Sequence, residues 1–94
     1  MLKIGIAGFG KMGQIRADEI LKNEHTILVS VFEQFGEVPS NKYQNLIHCK
    51  TYDEFLEQDL DAIFICAFNN VAAEYTIKAL QKGLHVFCEK PPAH

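Results

Sequence analysis

The sequence is short of cysteine, of long apolar runs and of positive charge, and each shortage excludes a class of protein. Only three cysteines occur, Cys49, Cys66 and Cys88. They lie far apart, the odd number leaves at least one unpaired within the chain, and none forms a C-x-x-C. The four histidines (His25, His48, His85 and His94) show no metal-ligand spacing either, so no metal site is expected. The lack of a disulfide framework fits a reducing cytoplasm. No apolar run approaches the roughly 18–20 residues that span a bilayer, and Met1-Leu2-Lys3 opens no signal peptide. Nine basic residues face twelve acidic ones, a net charge of −3. A mildly acidic chain without basic clusters has neither nucleic acid nor an anionic membrane as an expected partner.

What is present is ordinary globular composition, with 48% hydrophobic and 22% charged residues, which excludes a disordered or collagen-like chain. Ninety-four residues make one small domain. A chain of this size buries about 60–65% of the surface it exposes unfolded, enough for one core. No repeat, low-complexity stretch or linker divides it.

Strands and helices alternate along the chain. Leu2–Ala7 is an apolar run ended by glycines and reads as a strand. From Lys11 to Asn23, Met12, Ile15, Ile20 and Leu21 recur at helical spacing. Ile27–Phe32 is β-branched and nearly all apolar, as a strand covered on both faces should be. Gln34 to Leu46 is a loop marked by Gly36, Pro39, Ser40 and Asn41. Thr51-Tyr52-Asp53-Glu54 has the form of a capping box and starts a short helix carrying Phe55 and Leu56. Asp61–Ala67 is a second buried strand of the same kind. Asn69 or Asn70 caps a helix running to about Lys82, with Ala72, Tyr75, Ala79 and Leu80 along one side. Gly83 suits the position just past its end, and Leu84–Cys88 is the last strand. Phe55, Phe64 and Phe87 read as core, Cys66 and Cys88 as buried thiols, and Tyr43 and Tyr52 as partly exposed. The acidic run Asp53, Glu54, Glu57, Asp59 and Asp61 reads as a solvated helix and its exit.

This alternation predicts an α/β fold, a doubly wound parallel sheet of about five strands in a three-layer αβα arrangement. Such sheets bind ligands beyond the carboxyl ends of their strands, where strand order reverses. Gly8-Phe9-Gly10-Lys11-Met12-Gly13 stands at the first of those ends. In this G-x-G-x-x-G, Gly8 permits a tight turn, Gly10 lets a pyrophosphate approach the backbone, and Gly13 lets the helix pack close to the strand. A glycine-rich turn without a ligand is the plain alternative, but here the motif follows a strand and opens a helix, as a nucleotide site requires. Glu33 stands twenty positions after Gly13, where a carboxylate accepts hydrogen bonds from the adenosine ribose hydroxyls. It would repel a 2′-phosphate, and neighbouring Gln34 and Phe35 supply no cation, so NAD is expected over NADP. At the far end, Glu89-Lys90-Pro91-Pro92 places a carboxylate and an ammonium on the ligand side. A partly desolvated Lys90 beside a cationic nicotinamide would have a lowered pKa and exchange protons with a substrate hydroxyl. On spacing alone, an ordinary surface Glu–Lys pair is the simpler reading.

GFGKMG, DAIFICAFNN and ALQKGLHVFCEKPPA together resemble the nucleotide-binding half of the glucose–fructose oxidoreductase / inositol dehydrogenase (Gfo/Idh/MocA) family. The resemblance covers essentially the whole chain and is most specific at GLHVFCEKP. It implies a Rossmann-like domain of an NAD(P)-dependent oxidoreductase acting on a secondary alcohol or ketone of a sugar, cyclitol or related polyol. By that resemblance Lys90 matches the lysine that helps relay the proton of the reacting hydroxyl. Glu89 matches the acid near the nicotinamide ribose, and Ala67, Phe68, Asn69 and Asn70 match the loop running past the cofactor. Arg16 and Ala72 depart from the pattern, since many members carry histidine there. Members also continue into a substrate domain with a catalytic histidine, absent from these 94 residues. Negligible turnover is therefore expected of this chain alone, and its last strand is expected to be an uncovered edge that favours self-association into a homo-oligomer. A stand-alone NAD(P)-binding or redox-sensing module without catalysis is the rival from another class. Lys90 argues against it, and an open reading frame past His94 would too. An S-adenosylmethionine methyltransferase shares the glycine loop and the acid, but not the x-x spacing before Gly13 or the EKP stretch.

Overall fold

The computed structural model describes residues 1–34, 38, 43, 45–66 and 69–88, with backbone only at 69 and 70. The elements run β1 (Leu2–Ala7), α1 (Lys11–Lys22), β2 (Thr26–Phe32), β3 (Ile47–Cys49), α2 (Tyr52–Leu56), β4 (Ala62–Ile65), α3 (Asn69–Gln81) and β5 (His85–Cys88). All pairings are parallel, in the order β3-β2-β1-β4-β5. The chain therefore builds outward from β1 to one side, returns, and builds outward to the other. The reversal lies between β1 and β4, which is where a crevice opens beyond the strand ends.

Two cores sandwich the sheet. On one face Ile4, Ile6, Leu28, Val31 and Ala62 meet Ala17 and Ile20 of α1. On the other, Phe32, Ile63 and Ile65 meet Phe55 and Leu56 of α2 and Ala79 of α3. The sequence pattern is corrected at the helices. Helix α1 buries Gly13, Ala17 and Ile20, while Met12, Ile15 and Leu21 are exposed. Leu80 of α3 is likewise exposed. Gly13 and Ala17 face inward because the first half of α1 lies close against the turn after β1, and Ile20 fills the space farther along the helix. β3, which the pattern did not mark, is three residues long and forms one edge.

Tertiary pairing also overrides the expected burial of single residues. Tyr43 and Tyr52 are buried, at 4% and 6% exposure, because each hydroxyl finds a distant partner. Tyr43 Oη donates to Asp18 of α1 at 3.0 Å, and Tyr52 Oη donates to the Tyr75 carbonyl at 2.7 Å. Phe87 is 52% exposed on the other edge strand, stacked on Phe64 at 5.0 Å. Cys88 is exposed and Cys66 half-buried, leaving Cys49 as the buried thiol, which burial pushes up to about 11. Asp59 pairs with Lys3 at 2.6 Å, and Asp61 accepts from the Lys3 N–H at 2.8 Å, so the exit of the acidic run anchors β1.

The expected helix ends are met in part: α3 already begins at Asn69, so Asn69 and Asn70 stand within the helix and not at its cap. Thr51 accepts from the Glu54 N–H at 3.1 Å, while the Glu54 carboxylate reaches the Lys50 N–H rather than that of Thr51. After α3, Gly83 takes φ +82° and donates to Leu80, and Leu84 reaches back to Ala79 at 3.2 Å. That is the paired ending for which a residue without Cβ is preferred.

One defect sits in β2. Ile4 pairs with Leu28 but Gly5 with Ser30, so Val29 is an extra, bulged residue. Beyond it Ser30 is fully buried, and its hydroxyl has no partner among the described residues. A buried unpaired hydroxyl costs about 1–3 kcal/mol. Ser30→Ala is therefore expected to stabilise the chain by about 1 kcal/mol, or roughly 4–8 °C in Tm. Thermal unfolding checks it; an unchanged or lower Tm would mean that the hydroxyl is satisfied.

Candidate functional site

The end of β1 is built from glycines that do different work. Gly8 takes φ +93°, a left-handed turn, while its N–H still donates to the Phe32 carbonyl at 2.7 Å. Phe9 turns inward and is buried, edge-on to Tyr43 at 5.2 Å. Tyr43, in the segment between β2 and β3, thereby pins the loop to α1 through Asp18.

Gly10 is the N-cap of α1, with φ −74° and ψ −156°. Any residue adopts that backbone, and a Cβ there would meet nothing within 4 Å among the described residues. Gly13 is the opposite case, since its Cβ would stand 2.3 Å from the Gly8 carbonyl oxygen. So Gly13 is required by the protein itself, whereas nothing among the described residues requires Gly10. Among the described residues no side chain caps α1, and its first bond is Gln14 N–H to Gly10 C=O at 3.0 Å. The N–H groups of Lys11, Met12 and Gly13 precede that bond and have no acceptor within the helix. With the helix dipole behind them, they form a seat for an anion beside the open space at Gly10. Lys11 and Met12 are exposed at its rim.

Glu33 is the first residue past β2, and its Oε1 accepts a short bond from the Phe9 N–H. The carboxylate is thus held at the glycine loop rather than left in solvent. Beside it, Gln34 Oε1 lies 3.5 Å from the Tyr75 hydroxyl. Cys66, the first residue past β4, donates its N–H to the Ala7 carbonyl at 2.8 Å and closes the sheet beneath the crevice.

Seven of the residues marked from sequence are therefore brought together at the ends of β1 and β2: Gly8, Phe9, Gly10, Lys11, Met12, Gly13 and Glu33. Asn69 and Asn70 open α3, their side chains lying outside the described residues. Ala67, Phe68, Glu89 and Lys90 also lie outside them. Next to this strand end Phe32, Tyr52 and Tyr75 form an aromatic group, which the sequence pattern shows only in the inward position of Tyr75 on its helix. Among the described residues no cluster of histidine, cysteine, aspartate or glutamate could hold a metal, and no helix is long and apolar enough to cross a membrane.

The fit to a dinucleotide rests on what a Cβ would fill: free space at Gly10, an uncapped helix end and an acid at the next strand end. Comparison with known proteins agrees. The family model described as "Oxidoreductase family, NAD-binding Rossmann fold" matches residues 2–94. The chain is similar to D-glucoside 3-dehydrogenase of Escherichia coli K12, at 48% identity over 98% of this chain and 28% of that protein. It is also similar to myo-inositol 2-dehydrogenase of Thermotoga maritima, at 29% identity over 96% of this chain and 28% of the relative. Among solved structures, scyllo-inositol dehydrogenase of Lactobacillus casei with bound NAD(H) and scyllo-inositol superposes with a TM-score of 0.81. That match has 31% identity and covers 97% of this chain and 28% of the other. The chain thus spans less than a third of the length of the relatives it matches.

Proposed function

Because the chain belongs to the Gfo/Idh/MocA oxidoreductase family, we propose that it is the nucleotide-holding part of an NAD-dependent dehydrogenase. The observation that carries this is the contrast between Gly13, locked against Gly8, and Gly10, open to a ligand. The first turn of α1 holds the pyrophosphate and Glu33 holds the adenosine ribose. When bound, the nicotinamide supplies a hydride acceptor or donor. The whole protein moves that hydride to or from a secondary alcohol or ketone of a sugar- or cyclitol-like compound. The inositol and glucoside named for the relatives support that substrate class. Lys90, two residues past β5, holds and returns the proton of the reacting hydroxyl at Nζ, with Glu89 beside the nicotinamide ribose and residues 67–70 along the cofactor.

NAD is preferred to NADP. Glu33 is an acceptor with no use for a 2′-phosphate, and Gln34-Phe35-Gly36 bring no cation to receive one. Calorimetric titration tests both parts. NAD and ADP-ribose are expected to bind, with NADP about tenfold weaker or more, from one lost charge-assisted contact. Binding by none of them overturns the nucleotide reading, and equal binding of NADP overturns the preference alone.

The chain is placed in the cytoplasm, in keeping with its cysteine usage. Self-association of the 94-residue chain is proposed from Phe87, half-exposed on β5, which is an outermost strand among the described residues. A monomer by light scattering at high concentration would contradict it.

A further inference from the structure

At the carboxyl end of β2 lies a phenol that the nucleotide site, as described, leaves unused. Tyr75, in the second turn of α3, is held firmly as a ring. It stacks on Tyr52 at 3.9 Å and 14°, and meets Phe32 edge-on at 5.9 Å and 71°. Tyr52 Oη ties down its backbone by donating to the Tyr75 carbonyl. Among the described residues the hydroxyl has little to bind. Its hydrogen-bond contact is Gln34 Oε1 at 3.5 Å, well beyond the usual 2.5–3.0 Å of an O–H···O bond.

The direction in which that hydroxyl is needed follows from its neighbours. Glu33 and Gln34 occupy the same strand end. Burial first, then the nearby Glu74 and Glu33 carboxylates, raise the Tyr75 pKa, so the group is a neutral O–H at physiological pH. A ribose diol both donates and accepts, whereas a carboxylate only accepts. Glu33 can take the ribose protons but has none to give to the ribose oxygens.

We infer that Tyr75 is a second recognition residue for the adenosine half of the nucleotide, its phenol O–H donating to a ribose oxygen while Glu33 accepts from the ribose hydroxyls. This rests on the nucleotide reading above and adds a donor beside the acceptor Glu33. Because the ring is already fixed by Tyr52 and Phe32, ordering it on binding costs little.

Calorimetry on the 94-residue chain and on Tyr75→Phe, with NAD, ADP-ribose and nicotinamide mononucleotide, tests the assignment. Phenylalanine keeps the stack, so the melting temperature is expected to stay unchanged. Loss of one hydrogen bond weakens NAD and ADP-ribose about three- to tenfold. Nicotinamide mononucleotide, which lacks adenosine, is expected to bind both proteins equally. Unchanged ADP-ribose affinity overturns the role of Tyr75. An equal loss for the mononucleotide also overturns it, because the substitution would then act through the fold. A wild-type chain that binds neither NAD nor ADP-ribose overturns the nucleotide reading and this inference with it, whereas a binding wild type with an indifferent variant overturns the inference alone.

Discussion

Gly13→Ala is expected to destabilise the chain by about 3 kcal/mol and to abolish dinucleotide binding with it. Two effects compete at this position. Alanine is the better helix former, worth about 1 kcal/mol in a helix interior. Against that, the new Cβ would stand 2.3 Å from the Gly8 carbonyl oxygen and 3.2 Å from the carbon behind it. Neither belongs to a side chain that could swing aside. Helix α1 must instead lift away from the turn after β1, loosening Ala17 and Ile20, which pack on the same core. Forced overpacking costs about 1–3 kcal/mol and more when backbone must move, so the clash wins. Urea unfolding followed by circular dichroism should show a lower midpoint at unchanged slope. A midpoint equal to or above the wild type would mean that α1 moves freely, and the close-packing account of Gly13 would fall.

Gly10→Ala is expected to give the reverse pattern: stability within about 0.5 kcal/mol of wild type and nucleotide affinity lower by about a hundredfold. The backbone at Gly10 suits alanine, and the added methyl meets no atom of the described residues. What it meets is the path by which a pyrophosphate would come down on the first turn of α1. The N–H groups then cannot be approached at hydrogen-bond distance, and a displacement of about 1 Å is enough to forfeit most of their contribution. Paired thermal melts and NAD titrations check this. A variant that binds NAD as well as the wild type would show that the ligand does not lie over Gly10. One that melts early would show a structural need that the free space hides.

These two glycines also show how far the sequence could be read. The G-x-G-x-x-G spacing marked both, because strand, turn and helix signals are local and surround it. Glu33 was marked by distance along the chain, and the Phe9 N–H is where its carboxylate lands. Burial that depends on distant partners could not be read. Tyr43 and Tyr52 are covered because Asp18 and the Tyr75 carbonyl receive their hydroxyls, across 25 and 23 residues. Phe87 and Cys88 look like core residues since apolar runs read alike in central and edge strands, and only the strand order tells them apart. Helix α1 misled for another reason: hydrophobicity patterns weight large side chains, whereas close packing selects Gly13 and Ala17. β3 has too few residues for any periodicity to register.

The placement of β1 between β2 and β4 bears on the order in which the molecule assembles. Phe9 and Glu33 close across 24 residues, while Lys3 and Asp61, which join β1 to the segment entering β4, close across 58. Chain entropy makes the longer closure costlier by roughly 0.8 kcal/mol, and distant contacts form more slowly than near ones. The unit β1–α1–β2 can therefore form before the other half of the sheet is in place. That unit alone contains the glycine turn, the helix end and Glu33. The phosphate and ribose contacts proposed for a nucleotide therefore fall within the first 33 residues, where the closures are shortest in sequence.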